Sequence, residues 1–349
     1  MIRDIERRAS DGEFGTAVFA QGLSSVRIAR AWMERARGIA VTSIEASVDI
    51  EDATIRDAGM HGIHAREGGM MRIARLDLVG SVEGGLIATE GGAIEASDVR
   101  VADTRYFAAG TGVGVAAQLA ARVVLTRSIV ERSSGIALFS RDEGSRMEIT
   151  DVAVREARSR PSLELGLGAA VVAGATLVAS RLAIDGTRAA GLIAQSEGTT
   201  VELVDTLVRN VEGRELDGAF GAGLEITDGA NVRLTRTRIE DVRFAGVYAL
   251  LGGSLDAEDL VVGPVRAAAC AQTTCTELGG GHGLVAYLDG SAIALRRFAV
   301  ADAEVCGVVV GDGAGVDLAD GDVTRAPIGV VHAGARLRPL APHRGRPIR

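Results

Sequence analysis

A glycine followed by alternating aliphatic residues recurs along almost the whole sequence at a nearly fixed interval. Clear examples are GLIA at 85, GLIA at 191 and GVVV at 307, within a series that runs from Gly38 to Gly329. The short intervals of this series are 22–24 residues long. Self-similarity at such a period indicates stacked repeats, each of which buries its apolar face against the next. The chain is therefore predicted to be a solenoid rather than a set of globular domains.

The pattern within one repeat predicts the kind of solenoid. In GLEITDGANVRLTRTRIEDVRFA, Leu224 and Ile226 alternate with other residues, DGAN supplies a turn, and Val232 and Leu234 alternate again. Alternation in short runs, separated by Gly and Asp turns, is typical of β-strands. Three short strands per repeat predict an all-β, right-handed parallel β-helix of 12–13 coils. Leucine-rich repeats have a similar length, but their leucine pattern is absent.

The repeat pattern sets the expected domain limits. It covers residues 1–335 and is lost over 336–349, where Pro and Arg predict an irregular C-terminal tail. The pentapeptide DGEFG at 11–15 returns as DGAFG at 217–221, at the same position of the coil. We therefore expect the sequence to begin within a coil, as a fragment of a longer protein.

Composition excludes some classes of partner. Aromatic residues make up only 3% of the chain, whereas there are 46 Gly, which suits a narrow coil filled by small aliphatic side chains. The net charge of −8 argues against a nucleic-acid partner. The absence of a run of 18 apolar residues argues against a transmembrane segment.

Four of the intervals are longer, and their extra residues fall at one position, just before the next repeat glycine. They occur in alternate coils and read TRYFAAGT, ARSRPSLELGL, EGRELDGAFGA and AAACAQTTCTELGGGH. Insertions on one side of a solenoid often form its binding face. The predicted binding-face residues in these loops are Tyr106, Phe107, Phe220 and His282. The alternative is that loops are tolerated wherever a turn faces water.

The middle strand carries outward residues whose charges alternate from coil to coil. Opposite charges on neighbouring strands attract, so this column is expected to set register and to keep a long sheet soluble. It also argues against a groove for acidic polysaccharides on that face. Val178 and Ala294 interrupt the column, which is predicted to contain Arg27, Asp49, Arg72, Glu95, Arg122, Glu148, then after Val178 Glu202, Arg233 and Asp256, and after Ala294 Asp317.

These repeats resemble the right-handed parallel β-helix repeat family. The segments RNVEGRELDGAFGAGLEITDGANVRLTRTRIEDV and CAQTTCTELGGGHGL look like the large secreted or lipid-anchored β-helix proteins of myxobacteria and their relatives. The resemblance implies the fold over nearly the whole chain and an extracellular or outer-surface location. It implies no activity, because the wider pectin-lyase-like superfamily contains lyases, hydrolases, epimerases, tailspikes and adhesins.

Enzymatic chemistry has one candidate cluster. Glu212, Glu215 and Asp217 share a loop with Arg214, and two carboxyl groups at a suitable separation perform acid–base chemistry on glycosides. The competing interpretation is an ordinary turn, since Asp217 precedes a glycine. The resemblance implies Ca²⁺ and a Lys or Arg base for a lyase, but the chain has no Lys. The GHG at 281–283 lacks the carboxylate motifs that accompany it in polygalacturonases, so His282 is interpreted as a turn residue.

Cysteine and histidine leave several alternatives open. Cys270 and Cys275 lie in the longest insertion, and Cys306 occupies the same position one coil later. A disulfide between two of them is one prediction, a zinc site with His282 another, and free buried thiols a third. His61 and His64 are spaced to bind a metal, but no third ligand is evident, so no metal is predicted.

The sequence thus predicts a non-catalytic extracellular or surface scaffold whose loop-bearing face binds a polysaccharide or a surface protein. No cofactor is expected, and Ca²⁺ would enter only if the protein were a lyase. The alternative is a polysaccharide-active enzyme, namely a lyase, a glycoside hydrolase or an epimerase.

Overall fold

Two parallel β-sheets run along the length of the molecule. The computed structural model describes residues 1–6, 15–106, 112–160, 162, 164–268 and 279–333. The larger sheet, sheet A, contains 15 strands: β1 (Ile2–Ile5), β3 (Ser25–Ala29), β4 (Trp32–Ala36), β6 (Ser47–Arg56), β8 (Met70–Val79), β10 (Ala93–Ala102), β12 (Arg122–Glu131), β14 (Arg146–Arg155), β16 (Thr176–Arg188), β18 (Thr200–Glu212), β20 (Asn231–Arg243), β22 (Ser254–Val262), β23 (Val265–Arg266), β25 (Ala292–Ala301) and β27 (Gly315–Thr324).

Sheet B alternates with sheet A along the chain and contains 13 strands within the described residues. They are β2 (Val18–Gln21), β5 (Val41–Ile44), β7 (His61–Arg66), β9 (Gly84–Ala88), β11 (Gly112–Gln118), β13 (Gly135–Arg141), β15 (Leu167–Val172), β17 (Ala190–Gln195), β19 (Ala222–Thr227), β21 (Ala245–Leu250), β24 (His282–Tyr287), β26 (Cys306–Gly311) and β28 (Ile328–Ala333). Each strand pairs with the equivalent strands of the coils below and above. The predicted parallel β-helix and its number of coils are confirmed.

The core is a stack of aliphatic side chains enclosed by the two sheets. Ile50, Ile73, Ala96, Leu125 and Ile149 lie directly above one another on sheet A, and all five are buried. A coil adds about 4.8 Å to the rod, so every inward side chain contacts its equivalents in two neighbouring coils. No helix long and apolar enough to cross a membrane occurs among the described residues.

The repeat glycines lie where sheet B approaches sheet A. A Cβ built on Gly191 would stand 2.4 Å from Val208 Cγ1 and 2.6 Å from the carbonyl oxygen of Gly223 in the next coil. The sequence alignment of these positions was wrong by two residues at Gly38, Gly112 and Gly135. Their places in the column are taken by Ala40, Gly114 and Ala137, as the strand register shows.

The same error affects the predicted charge column. Val124 pairs with both Glu95 and Glu148 and therefore occupies the position assigned to Arg122. Arg122 lies opposite Ala93 and reaches Glu148 diagonally at 3.3 Å. Elsewhere the alternation is as predicted, and Arg72 lies 3.8 Å from Asp49 and 3.7 Å from Glu95.

A second ladder of charges follows the bend of sheet A, where two of the predicted strands join into one. The bend residue of each coil has a positive φ, and Asp and Arg alternate there over the sequence Asp52, Arg75, Asp98, Arg127, Asp151, Arg181, Asp205, Arg236, Asp259, Arg297 and Asp320. Each Arg forms an ion pair with the Asp of the preceding coil; Arg127, for example, donates two hydrogen bonds of 2.8 Å to Asp98. The exposed pairs mark a structural unit of two coils, and each contributes little stability.

Candidate functional site

The outer face of sheet B differs from that of sheet A, because it is mostly uncharged. Its central outward column has the register Ile87, Ala116, Phe139, Ala170, Ile193, Glu225, Tyr248, Val285 and Val309. Most of these residues form small apolar clusters that are separate from the core. The loops that connect sheet A to sheet B lead into this face. Six of the nine residues of the column are buried, so a partner can contact this face only where side chains beside the column, such as Phe220, are exposed.

An aromatic patch lies on this face in the later coils. We use this name for Phe220, Phe244, Tyr248 and Tyr287. The ring of Phe244 is 5.2 Å from that of Tyr248 in an edge-to-face arrangement and 6.2 Å from that of Phe220. Phe244 and Tyr287 pack against the cluster that contains Tyr248. Phe220 comes from the preceding loop, and 37% of it is exposed.

Glu225 stands beside this patch, between Ile193 and Tyr248 on the neighbouring strands. Within the described residues it forms neither a hydrogen bond nor an ion pair. Burial raises its pKa, and the charge of Asp228 acts in the same direction. Burial also raises the pKa of Tyr248, assisted by Glu225. Among the described carboxyl groups with a perturbed pKa, Glu225 is the only one whose pKa is raised, whereas arginines lower the pKa of the others, such as Asp103, Asp217 and Asp302.

Sequence reasoning missed Glu225 because it examined the loop carboxylates. The signal was present: Glu225 is the third residue of GLEI, at a position where other coils carry Ile, Ala, Phe or Tyr. A carboxylic acid among outward aliphatic residues either stays protonated or requires a partner, since an unpaired buried charge is costly.

The predicted catalytic loop is built from ion pairs. Glu212 accepts a hydrogen bond of 2.8 Å from Arg243, and Glu215 lies 3.5 Å from Arg188. Arg214 binds both carboxylate oxygens of Asp217, and this pairing lowers the pKa of Asp217.

Every carboxylate of that loop therefore has its own arginine, which disfavours a role as proton donor. Asp217 also accepts the backbone N–H of Ala219 at 3.0 Å, as expected of an Asp that closes a turn. The Arg214 guanidinium then covers the ring of Phe220 at 4.6 Å. This geometry favours the turn interpretation of the loop.

Two histidines form a second polar site near the beginning of the rod. The rings of His61 and His64 are 5.0 Å apart and nearly perpendicular. His64 Nε2 is 3.1 Å from Thr89 Oγ1, whereas Nδ1 of both rings is shielded from solvent without a hydrogen-bond partner in the described part of the chain. Burial lowers the pKa of His61 to about 4 and that of His64 to about 3. No group of three metal-binding side chains is found among the described residues.

The remaining predicted site residues are scattered. His282 is the first residue of strand β24, so its interpretation as a turn residue was wrong. It is buried and pairs with Cys306 of the next coil. Cys306 carries a free, buried thiol that donates to the carbonyl oxygen of Val308 at 3.2 Å. Tyr106 is exposed, whereas Phe107, Cys270, Cys275 and the tail at 336–349 lie outside the described residues.

A cavity on sheet A is formed by the charge column. A shallow cavity of about 510 Å³ lies on sheet A and is lined by Arg27, Asp49, Arg72 and Glu95. These are members of the predicted charge column, and they neutralise one another. The cavity is therefore the space between side chains of a structural ladder.

Comparisons with known proteins identify neither a family nor a function for this chain. No family model matches the sequence, and no curated protein matches it. Among solved structures, the periplasmic alginate epimerase AlgG covers 92% of this chain with 80% of its own, at 8% identity and a TM-score of 0.39. The mannuronan C-5 epimerase AlgE4 A-module of Azotobacter vinelandii covers 88% of each chain, at 12% identity and a TM-score of 0.39.

The catalytic unit of the GH87 α-1,3-glucanase of Streptomyces thermodiastaticus covers 92% of this chain with 68% of its own, at 11% identity and a TM-score of 0.35. With identities and TM-scores this low, no residue role is transferred from these proteins. They do not test the resemblance to myxobacterial proteins. The pairing of its own strands identifies this chain as a parallel β-helix.

Proposed function

We propose that this protein is an extracellular or surface scaffold that binds a carbohydrate chain along the outer face of sheet B. The observation that carries the proposal is the aromatic patch beside Glu225. Sugar rings present apolar C–H faces and hydroxyl groups. Sites for such ligands combine aromatic surface with a few polar groups. The alternative partner is a surface protein, which the sequence also predicted for the loop-bearing face.

The choice between a binding module and an enzyme depends on the carboxyl groups. Glu212, Glu215 and Asp217 each pair with an arginine, so they supply no acid–base couple. This supports a non-catalytic role. One observation favours an enzyme: burial raises the pKa of Glu225 beside Tyr248, and a carboxyl group with a raised pKa is suited to general-acid catalysis.

One experiment separates the two functions. Neutral and acidic polysaccharides are incubated with the protein, with and without Ca²⁺, and are analysed by size-exclusion chromatography with mass detection. Co-elution without shortening supports the binding module, whereas shortened chains support the enzyme. An epimerase leaves length unchanged, so recovered uronates are also examined by NMR.

The variant Tyr248→Leu locates the binding site. It should weaken retention of the bound polysaccharide roughly tenfold or more, because buried aromatic anchors dominate contact energies. Phe139→Leu is the matched control, since Phe139 occupies the same outward column four coils before Tyr248. Equal effects of both variants, or of neither, would contradict a site centred on the aromatic patch.

A further inference from the structure

The pocket around His61 and His64 has the composition of a ligand site rather than of a packing defect. Its volume is about 370 Å³, within the range of small-molecule pockets. Ile87, Val113 and Leu119 supply apolar lining, and Thr89 and Gln118 supply neutral polar groups. Charged side chains at the pocket are Arg66, Glu83 and Glu90.

The two imidazoles leave hydrogen-bonding capacity unused. Buried polar atoms in folded proteins almost always have partners, so two unsatisfied ring nitrogens in one small pocket require an explanation. A neutral imidazole carries one N–H donor and one acceptor nitrogen. A hydroxyl group also donates and accepts, so a ligand with several hydroxyl groups can satisfy both rings once they turn, because Nδ1 of each ring is shielded from solvent in the present geometry.

The charge of the lining selects among ligands. With neutral imidazoles, Arg66 contributes one positive charge and Glu83 and Glu90 two negative charges, which leaves one net negative charge. Arg66 is also engaged by Glu67 at 3.2 Å. An anionic ligand is therefore disfavoured, and a metal ion lacks a third ligand among the described side chains.

We propose that this pocket, which we call the histidine pocket, binds one neutral sugar unit through His61, His64 and Gln118. The site lies on the same outer face of sheet B as the aromatic patch, six coils from Glu225 and thus roughly 29 Å away along the rod. The proposal rests on the proposed function for its ligand class. It adds a second subsite to the carbohydrate-binding face.

The test uses the histidines as reporters. The full chain, which has five His, is labelled with ¹⁵N-histidine, and long-range ¹H–¹⁵N spectra follow titrations with neutral trisaccharides (maltotriose, cellotriose, mannotriose), with trigalacturonate and with ZnCl₂. Neutral trisaccharides should shift the ring nitrogens of His61 and His64, while the exposed His332 stays unchanged. His282 pairs with Ala245 beside the aromatic patch and reports on that site.

Matched variants identify the contact. Gln118 and Gln195 occupy one outward column of sheet B, three coils apart. Gln118→Ala should weaken neutral-trisaccharide binding at the histidine pocket about fivefold to tenfold, as expected for the loss of one hydrogen bond. Gln195→Ala should leave it unchanged. Both side chains lie at the surface of a strand, so either variant should fold.

The outcomes distinguish this inference from the proposed function. Shifts of His282 alone would overturn the histidine pocket and leave carbohydrate binding at the aromatic patch in place. The histidine pocket would also be overturned if the signals of His61 and His64 shift only with trigalacturonate or Zn²⁺, or if none of the probes shifts them. If they shift with neutral trisaccharides while Tyr248→Leu retains full polysaccharide binding, the pocket stands and the patch fails.

Discussion

Acid should destabilise this protein before its carboxylates are neutralised, because His61 and His64 are buried as neutral rings. Their pKa values fall from 6.5 to about 4 and about 3, chiefly through burial. Below pH 6.5 the unfolded chain therefore binds protons that the folded chain does not. Stability decreases as pH falls through this window.

The size of the effect follows from linkage. At pH 5 an unfolded histidine with a pKa of 6.5 gains about 2 kcal/mol by protonation, and the folded rings gain almost nothing, so the pair costs about 4 kcal/mol. That is a large part of the stability of an ordinary domain. The burial of His282 acts in the same direction. The carboxylates whose pKa is lowered by arginine, such as Asp103, lose their contribution only at lower pH.

The assay is urea unfolding monitored by circular dichroism at pH 7, 6 and 5. The free energy of unfolding should fall with pH in the wild type, and His61→Gln/His64→Gln should remove about 4 kcal/mol of the difference between pH 7 and 5. His332→Gln, at an exposed position, is the control and should leave the pH dependence unchanged. If the free energy of unfolding falls equally between pH 7 and 5 in the double variant and the wild type, the two rings are not held neutral in the folded protein. That result would also refute the geometry of the histidine pocket.

Two further predictions concern the coil itself. Gly223→Ala should lower the free energy of unfolding by about 1–3 kcal/mol through overpacking, because the new Cβ would lie 2.3 Å from Ile239 Cγ2. Gly329→Ala should be nearly neutral, because a Cβ there would have no atom within 4 Å. Equal urea midpoints for the two variants would contradict this account of the repeat glycines. Ala173→Gly should leave stability unchanged or raise it by up to about 1 kcal/mol, since Ala173 has a φ of +56°, but Ala183→Gly, within strand β16, should lower it by about 0.5–1 kcal/mol. Thermal unfolding of both variants measures this, and effects of the same sign would refute it.

The sequence by itself determined the architecture. Two-residue alternation, turn residues and the repeat glycine are local signals, and each coil repeats them, so the solenoid and its number of coils followed from the pattern. The alternating loops were also visible, because an insertion lengthens the interval between glycines. The predicted register was wrong at three positions: at Gly38 and Gly135 the column position holds an alanine, and at Gly112 the sequence GVGV offers two glycines two residues apart. Choosing Gly112 instead of Gly114 moved Arg122 into a position that belongs to Val124.

The chemistry of the outer faces was decided only by the tertiary structure. Residues that meet there are 22 or more positions apart in the sequence. A change in the length of one coil therefore changes which residues lie side by side on neighbouring strands. Glu225 is one acidic residue in the sequence, but stacking puts it between Ile193 and Tyr248, and burial then changes its pKa. The loop carboxylates looked reactive in the sequence and became ion pairs because arginines from other coils reach Glu212 and Glu215. Local patterns specify the backbone of a solenoid, whereas contacts between coils specify the environment of its side chains.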